Sequence, residues 1–107
     1  MSEYSEVVTT TGSAEAAEEL ARGIIKERLG ACVHIVPIRS VYRWDGEVQT
    51  DDEWRCIIKT TTARVEELVA HIKANHSYDV PQVTVTPIIT GNPDYLAWVS
   101  EETRPTS

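Results

Sequence analysis

Cys32 and His34 stand two residues apart, a spacing that sets a thiol and an imidazole on one face of an extended strand, about 6.6 Å from each other. Thiolate and imidazole together suit copper or zinc. A small core cysteine next to an interface histidine would read the same way. His76 is the better ligand candidate, because Tyr78 and Asp79 follow it within the loop segment His76-Ser-Tyr-Asp-Val-Pro81. An imidazole there could equally cap the preceding helix, whose C-terminal end favours positive charge. His71, between Val69 and Ile72, reads as a surface or boundary residue of a helix. Asp51-Asp52-Glu53 reads as a solvated strand start, with a weak surface cation contact as its alternative. There is no CxxC and no HxxxH, so the pattern describes no closed structural zinc site. Ser13, Ser40 and Ser77 lie in no nucleophile elbow, and neither a glycine-rich phosphate loop nor a distinctive carboxylate pair is present. The expectation is therefore a protein that is not an enzyme.

The elements that would position these groups follow from periodicity. Glu6–Thr10 reads as a first strand. Ser13 is a candidate N-cap for a helix whose stripe is Ala17, Leu20, Ala21, Ile24, Ile25 and Leu29, with Gly30 at the expected left-handed C′ position. Two long strands then reverse at Asp45-Gly46, the pair that supplies both positive-φ residues of a type I′ turn. They run from about Ala31 to Trp44 and from Glu47 to Lys59, roughly twice the usual strand length. With Trp44 opposite Glu47, Cys56 faces Ile35 and Cys32 faces Lys59. The thiols then lie on opposite faces, and two free cysteines are predicted, as a reducing compartment requires. Thr61 or Thr62 caps a second helix with stripe Val65, Leu68, Val69 and Ile72. Val83–Ile89 alternates as a fourth strand, which Pro87 should place at an edge or bend. Asn92-Pro93-Asp94 opens a short last helix, and the tail from Glu101 reads as frayed. The order is α+β: a ferredoxin-like, split βαβ antiparallel sheet with a long central hairpin and an extra C-terminal helix, one domain over residues 1–107.

Bulk properties narrow the function. The chain has 107 residues, is 41% hydrophobic and 25% charged, and carries a net charge of −7. That sign argues against nucleic acid. No apolar run long enough to span a membrane and no export signal are evident, so the expected location is the cytoplasm. Both faces of the hairpin carry apolar residues, yet two helices can cover only one face of such a sheet. Leaving several hundred Å² of apolar surface wet forgoes many kcal/mol at ~25 cal/mol per Å². Self-association is the simplest relief, and Tyr42, Trp44 and Trp54 are the expected contact residues.

The residues also carry a family resemblance. Gly30-Ala-Cys-Val-His-Ile-Val-Pro37, Val41-Tyr-Arg-Trp-Asp-Gly-Glu47, Ile58-Lys-Thr-Thr61, His76-Ser-Tyr-Asp-Val-Pro81 and Pro93-Asp-Tyr-Leu-Ala-Trp98 together resemble the CutA divalent-cation tolerance proteins, in order and over nearly the full chain. The resemblance implies a homotrimer of ferredoxin-like subunits whose long hairpin reaches its neighbours. It implies binding of copper or another divalent cation, with no metal required for folding. The family's His-Pro-Tyr-Glu-x-Pro run has Ser77 and Asp79 here, and Thr9 and Asn75 stand where copper-binding members carry a cysteine and a histidine. Of that ligand set His76 remains, with Asp79 and Cys32 as candidate substitutes. The alternative is a trimeric scaffold resembling the PII signalling proteins, taking a small ligand or partner in inter-subunit clefts.

Overall fold

The computed structural model describes residues 2–106. The chain runs β1 (Tyr4–Thr11), α1 (Ala14–Lys26), β2 (Cys32–Trp44), β3 (Glu47–Thr61), α2 (Val65–Ala74), β4 (Val83–Ile88) and α3 (Pro93–Glu102), with a single 3-10 turn at Thr62–Arg64 before α2. The strands form one antiparallel sheet in the order β2-β3-β1-β4. This is the ferredoxin-like arrangement with an added terminal helix. β4 lies at an edge, and Pro87 costs the sheet nothing there.

The hairpin turn fixes the register of everything beside it. Asp45 and Gly46 take φ of 53° and 80°, so the strands leave the turn in phase, from Trp44↔Glu47 to Cys32↔Lys59. Cys56 therefore faces Ile35, and both thiols are free. Opposed residues share a face, and one face of the sheet carries Val7, Ile58 and Val33. These pack with Leu20, Ile24 and Leu29 from α1 and its exit, and with Leu68 and Ile72 from α2. Ser13 caps α1 by accepting from the Ala16 N–H at 3.1 Å, and Asn92 caps α3 by accepting from the Asp94 N–H at 3.0 Å.

Three local expectations are corrected. The left-handed residue after α1 is Arg28, at φ 59°, and not Gly30. Gly30 is small for packing: a Cβ there would stand 2.5 Å from Ile58 Cγ2 and 2.9 Å from Ile24 Cγ2. Neither Thr61 nor Thr62 caps α2. A 3-10 turn intervenes, and the Thr62 hydroxyl donates to the Ser2 carbonyl at 2.8 Å instead. The tail beyond Glu101 is held rather than frayed, since Thr103 is buried and Arg28 donates to the carbonyls of Glu101 and Arg104 at 2.6 and 2.8 Å.

Candidate functional site

The pairing of β1 with β3 stops at Thr11↔Trp54, while the hairpin continues from Ile38↔Glu53 out to Trp44↔Glu47. Those seven pairs project about 24 Å beyond the sheet at ~3.4 Å per residue. Along this ribbon Ile38, Ser40, Tyr42 and Trp44 share the face turned away from α1 and α2 with Glu53, Asp51, Gln49 and Glu47. Tyr42 lies one step diagonal to Asp51, and its hydroxyl donates to the Asp51 carboxylate.

The loop after α2 folds over the end of β1 to meet this ribbon. Asn75 closes the helix by donating from Nδ2 to the His71 carbonyl at 2.8 Å. The Tyr78 backbone N–H then donates to His76 Nδ1 at 3.0 Å, while His76 Nε2 lies 2.6 Å from the Thr10 carbonyl oxygen. A backbone N–H can only donate, so Nδ1 is the acceptor and the ring proton sits on Nε2, donating to Thr10. Both ring nitrogens are thereby occupied by backbone groups. The Tyr78 ring stacks on the imidazole with centroids 4.8 Å apart, and its hydroxyl donates to Glu53 Oε2 at 3.1 Å. Gly12 leaves room for that ring: a Cβ there would come within 3.1 Å of the hydroxyl.

Loop and ribbon enclose a cleft of about 560 Å³ lined by residues that include Thr10, Tyr42, Trp44, Glu53, Tyr78 and Asp79. Burial, the Glu53 hydrogen bond and the negative charge of Glu53 push the Tyr78 hydroxyl up to about 12, so it is a permanent donor near neutrality. The hydrogen bond to Asp51 raises Tyr42 in the same direction, with a smaller contribution from burial. Burial alone raises the Cys56 thiol, which is an inert core group.

The residues singled out as metal ligands are spread apart. Asp79 lines the cleft, whereas His76 lines a neighbouring pocket of about 440 Å³ together with His71 and Glu19. Cys32 is half-buried at the opposite end of the sheet, opposed to Lys59, whose ammonium pairs with Glu6 at 3.1 Å. Among the described residues no three His, Cys, Asp or Glu side chains are grouped to hold a metal ion. Of the expected contact aromatics, Tyr42 and Trp44 are 40% and 58% exposed on the ribbon. Trp54 is half-buried on the other face, opposed to Pro37 and Thr11. Thr9, at the position where the resemblance places a cysteine, is fully buried, and its hydroxyl is without a partner among the described residues.

In the sequence Glu53 stood out only as part of the acidic run Asp51-Asp52-Glu53 and Tyr78 only as a neighbour of His76, while Thr10 was not singled out. The placement of Glu53 had a signal, since the two-residue period of β3 sets it on one face with Asp51. The Tyr78–Glu53 contact joins residues far apart in the chain and leaves no periodic trace.

A sequence model of the CutA1 divalent ion tolerance protein family matches residues 5–102. The chain is similar to "Divalent-cation tolerance protein CutA" of Thermus thermophilus, 45% identical over 98 residues that cover 91% of this chain and 95% of the relative. It is also similar to "Protein CutA 1, chloroplastic" of Oryza sativa, 52% identical over 99 residues and 92% of this chain. It spans only 56% of that plant protein's length. Among solved structures it resembles the periplasmic divalent cation tolerance protein CutA from Archaeoglobus fulgidus, with a TM-score of 0.93 at 33% identity, covering 94% of this chain and 99% of that one.

Proposed function

Because the chain belongs to the CutA1 divalent ion tolerance protein family, we propose that residues 1–107 act as one unit, a non-catalytic homotrimer that binds divalent cations, copper among them. The names of the relatives, which speak of divalent-cation tolerance, support the cation. The observation that carries the reading is the loop from His76 to Asp79, which brings a carboxylate to the cleft at the root of the projecting ribbon and an imidazole to a cavity lined by α1 and α2. The described residues of one subunit supply too few grouped donors for a closed site, so binding is weak and draws on donors from neighbouring copies. His76 ligates only by giving up its bond to Thr10 or to Tyr78. Cys32, at the far end of the sheet, serves only as a donor brought by another subunit. Two free thiols suit a reducing compartment, for which the cytoplasm is proposed.

Copper titration followed by calorimetry tests this on wild type, His76→Ala and Asp79→Asn. Weakening by tenfold or more in both variants supports the site. Unchanged stoichiometry and affinity in Asp79→Asn removes Asp79 as a ligand, and the same result in both variants removes the loop as the metal's location. A second reading is favoured by the cleft itself, whose volume and aromatic walls are those of a small-ligand pocket. In that reading the trimer is a sensing scaffold whose clefts report a small molecule.

A further inference from the structure

Two opposite charges stand unpaired on the sheet face turned away from α1 and α2. Arg55 is opposed to Val36 on β2 and to Thr10 on β1, in the last rows that β1 accompanies. Its side chain is exposed, and among the described residues it enters no ion pair. Glu53, two residues back along β3, opens the projecting ribbon on the same face. It is half-buried, and its partner is the Tyr78 hydroxyl rather than a cation. The contrast on this face is Lys59, which is opposed to Glu6 and pairs with it at 3.1 Å within the subunit.

An assembly that covers this face changes what Arg55 needs. Val36 beside it is apolar and 40% exposed, so closing the face takes the guanidinium out of water together with its neighbour. A charge buried without a counter-charge is strongly unfavourable, and a guanidinium is best answered by a carboxylate that accepts two of its N–H groups. Glu53 has that capacity. A carboxylate offers about four acceptor positions, and Tyr78 uses one of them. Within a subunit the two residues are about 7 Å apart along the strand, and the Tyr78 bond holds the carboxylate at the loop. Rotational symmetry supplies the other arrangement, because closing a ring of copies brings one patch against a different patch of the next.

We propose that Arg55 of each copy pairs with Glu53 of a neighbouring copy, its guanidinium seated at the mouth of the cleft beneath Tyr78, and that these pairs set the register of the assembly. The inference rests on the trimeric reading above and names the contact which that reading lacks. The occupant of the cleft mouth is then a second copy of this chain, drawn there by charge.

The experiment is sedimentation velocity of the intact protein at micromolar concentration. It compares wild type, Arg55→Glu, Glu53→Arg, the double variant carrying both changes, and an equimolar mixture of the two single variants. Glu53→Gln is measured beside them, because its amide oxygen still accepts from Tyr78 while its charge is gone. Lys73→Glu, at an exposed position on α2, controls for net charge. Circular dichroism should match wild type throughout. Arg55→Glu and Glu53→Arg should each weaken association by roughly a hundredfold or more, and Glu53→Gln by about tenfold. Lys73→Glu should sediment as wild type. The double variant should recover most of the loss. The mixture should recover part of it, since two of the three contacts in a mixed trimer join opposite charges. Association of Arg55→Glu or Glu53→Gln equal to wild type overturns the proposal. Recovery in the double variant with none in the mixture overturns it as well, because the pair then lies within one subunit. Loss in the single variants without recovery in either sample overturns the pairing and leaves the trimer standing. A monomeric wild type refutes the trimeric reading itself, and the pairing with it.

Discussion

At the scale of single residues the chain uses small differences in space and protonation. Gly30 is a packing glycine wedged between Ile24 and Ile58. Gly30→Ala should cost about 1–3 kcal/mol as an overpacked core, read as a lowered denaturant midpoint with an unchanged slope. A glycine directly after a helix is the ordinary left-handed terminator, and nothing local distinguishes that role from a close approach by strand β3. Arg28 takes the left-handed position two residues earlier, and its guanidinium donates to the carbonyls of Glu101 and Arg104. Tyr78 gives a pH prediction whose sign is fixed. Its hydroxyl is raised from 10.0 to about 12 in the folded protein. The folded state therefore holds its proton more tightly than the unfolded chain does. Stability from this group is complete below about pH 10 and is lost as pH rises from there towards about 12. Tyr78→Phe should flatten that part of the alkaline unfolding curve, measured by circular dichroism against pH. A curve identical to wild type would mean that the phenol contributes no proton linkage.

At the scale of elements, legibility in the sequence followed locality. The hairpin and its register were readable because Asp45-Gly46 selects one turn type and the two-residue period then fixes every pair down to Cys32↔Lys59. The caps Ser13 and Asn92 were readable for the same reason. What stayed hidden depended on distant partners: the 3-10 turn at Thr62–Arg64, the clasp on α3, and the Tyr78–Glu53 bond. The site divides along that line. His76 and Asp79 stood out as a loop pair, but their separation into two cavities is set by where the loop crosses β1. Two arginines join the helix ends in series. Arg64, 8% exposed, donates to the carbonyls of Glu27 and Arg28 at 3.5 and 3.4 Å, and Arg28 in turn donates to those of Glu101 and Arg104. Arg28→Ala removes two charge-assisted bonds at the end of α3, together worth about 1–3 kcal/mol of local stability. Amide exchange over residues 99–104 should accelerate about tenfold or more, with the sheet amides unaffected. Uniform acceleration would instead place Arg28 in the global core.

At the scale of the molecule, the shape is consistent with the proposed self-association. The principal extents are 44 × 27 × 21 Å, and the long axis follows a two-stranded ribbon that β1 does not accompany. An isolated ribbon of that length is marginal in water without cover on at least one face. On the face away from α1 and α2, Val36, Tyr42 and Trp44 are 40%, 40% and 58% exposed, and β2 presents an unpaired edge along its full length. An uncovered edge of this kind is a template for pairing with another chain. Val36 is exposed in the single subunit, so Val36→Glu should leave the subunit's fold and circular dichroism unchanged. In an assembly that buries this face, the same carboxylate loses its water and costs several kcal/mol at every contact. The association constant of the proposed trimer should then fall by roughly a hundredfold or more, and sedimentation velocity at micromolar concentration should move from the mass of that trimer to monomer mass. A trimer that survives the substitution must be built through the other face, where Ile35, Val41 and Val48 are 38%, 67% and 67% exposed. The cleft would then be open to solvent in every copy rather than closed by a neighbour.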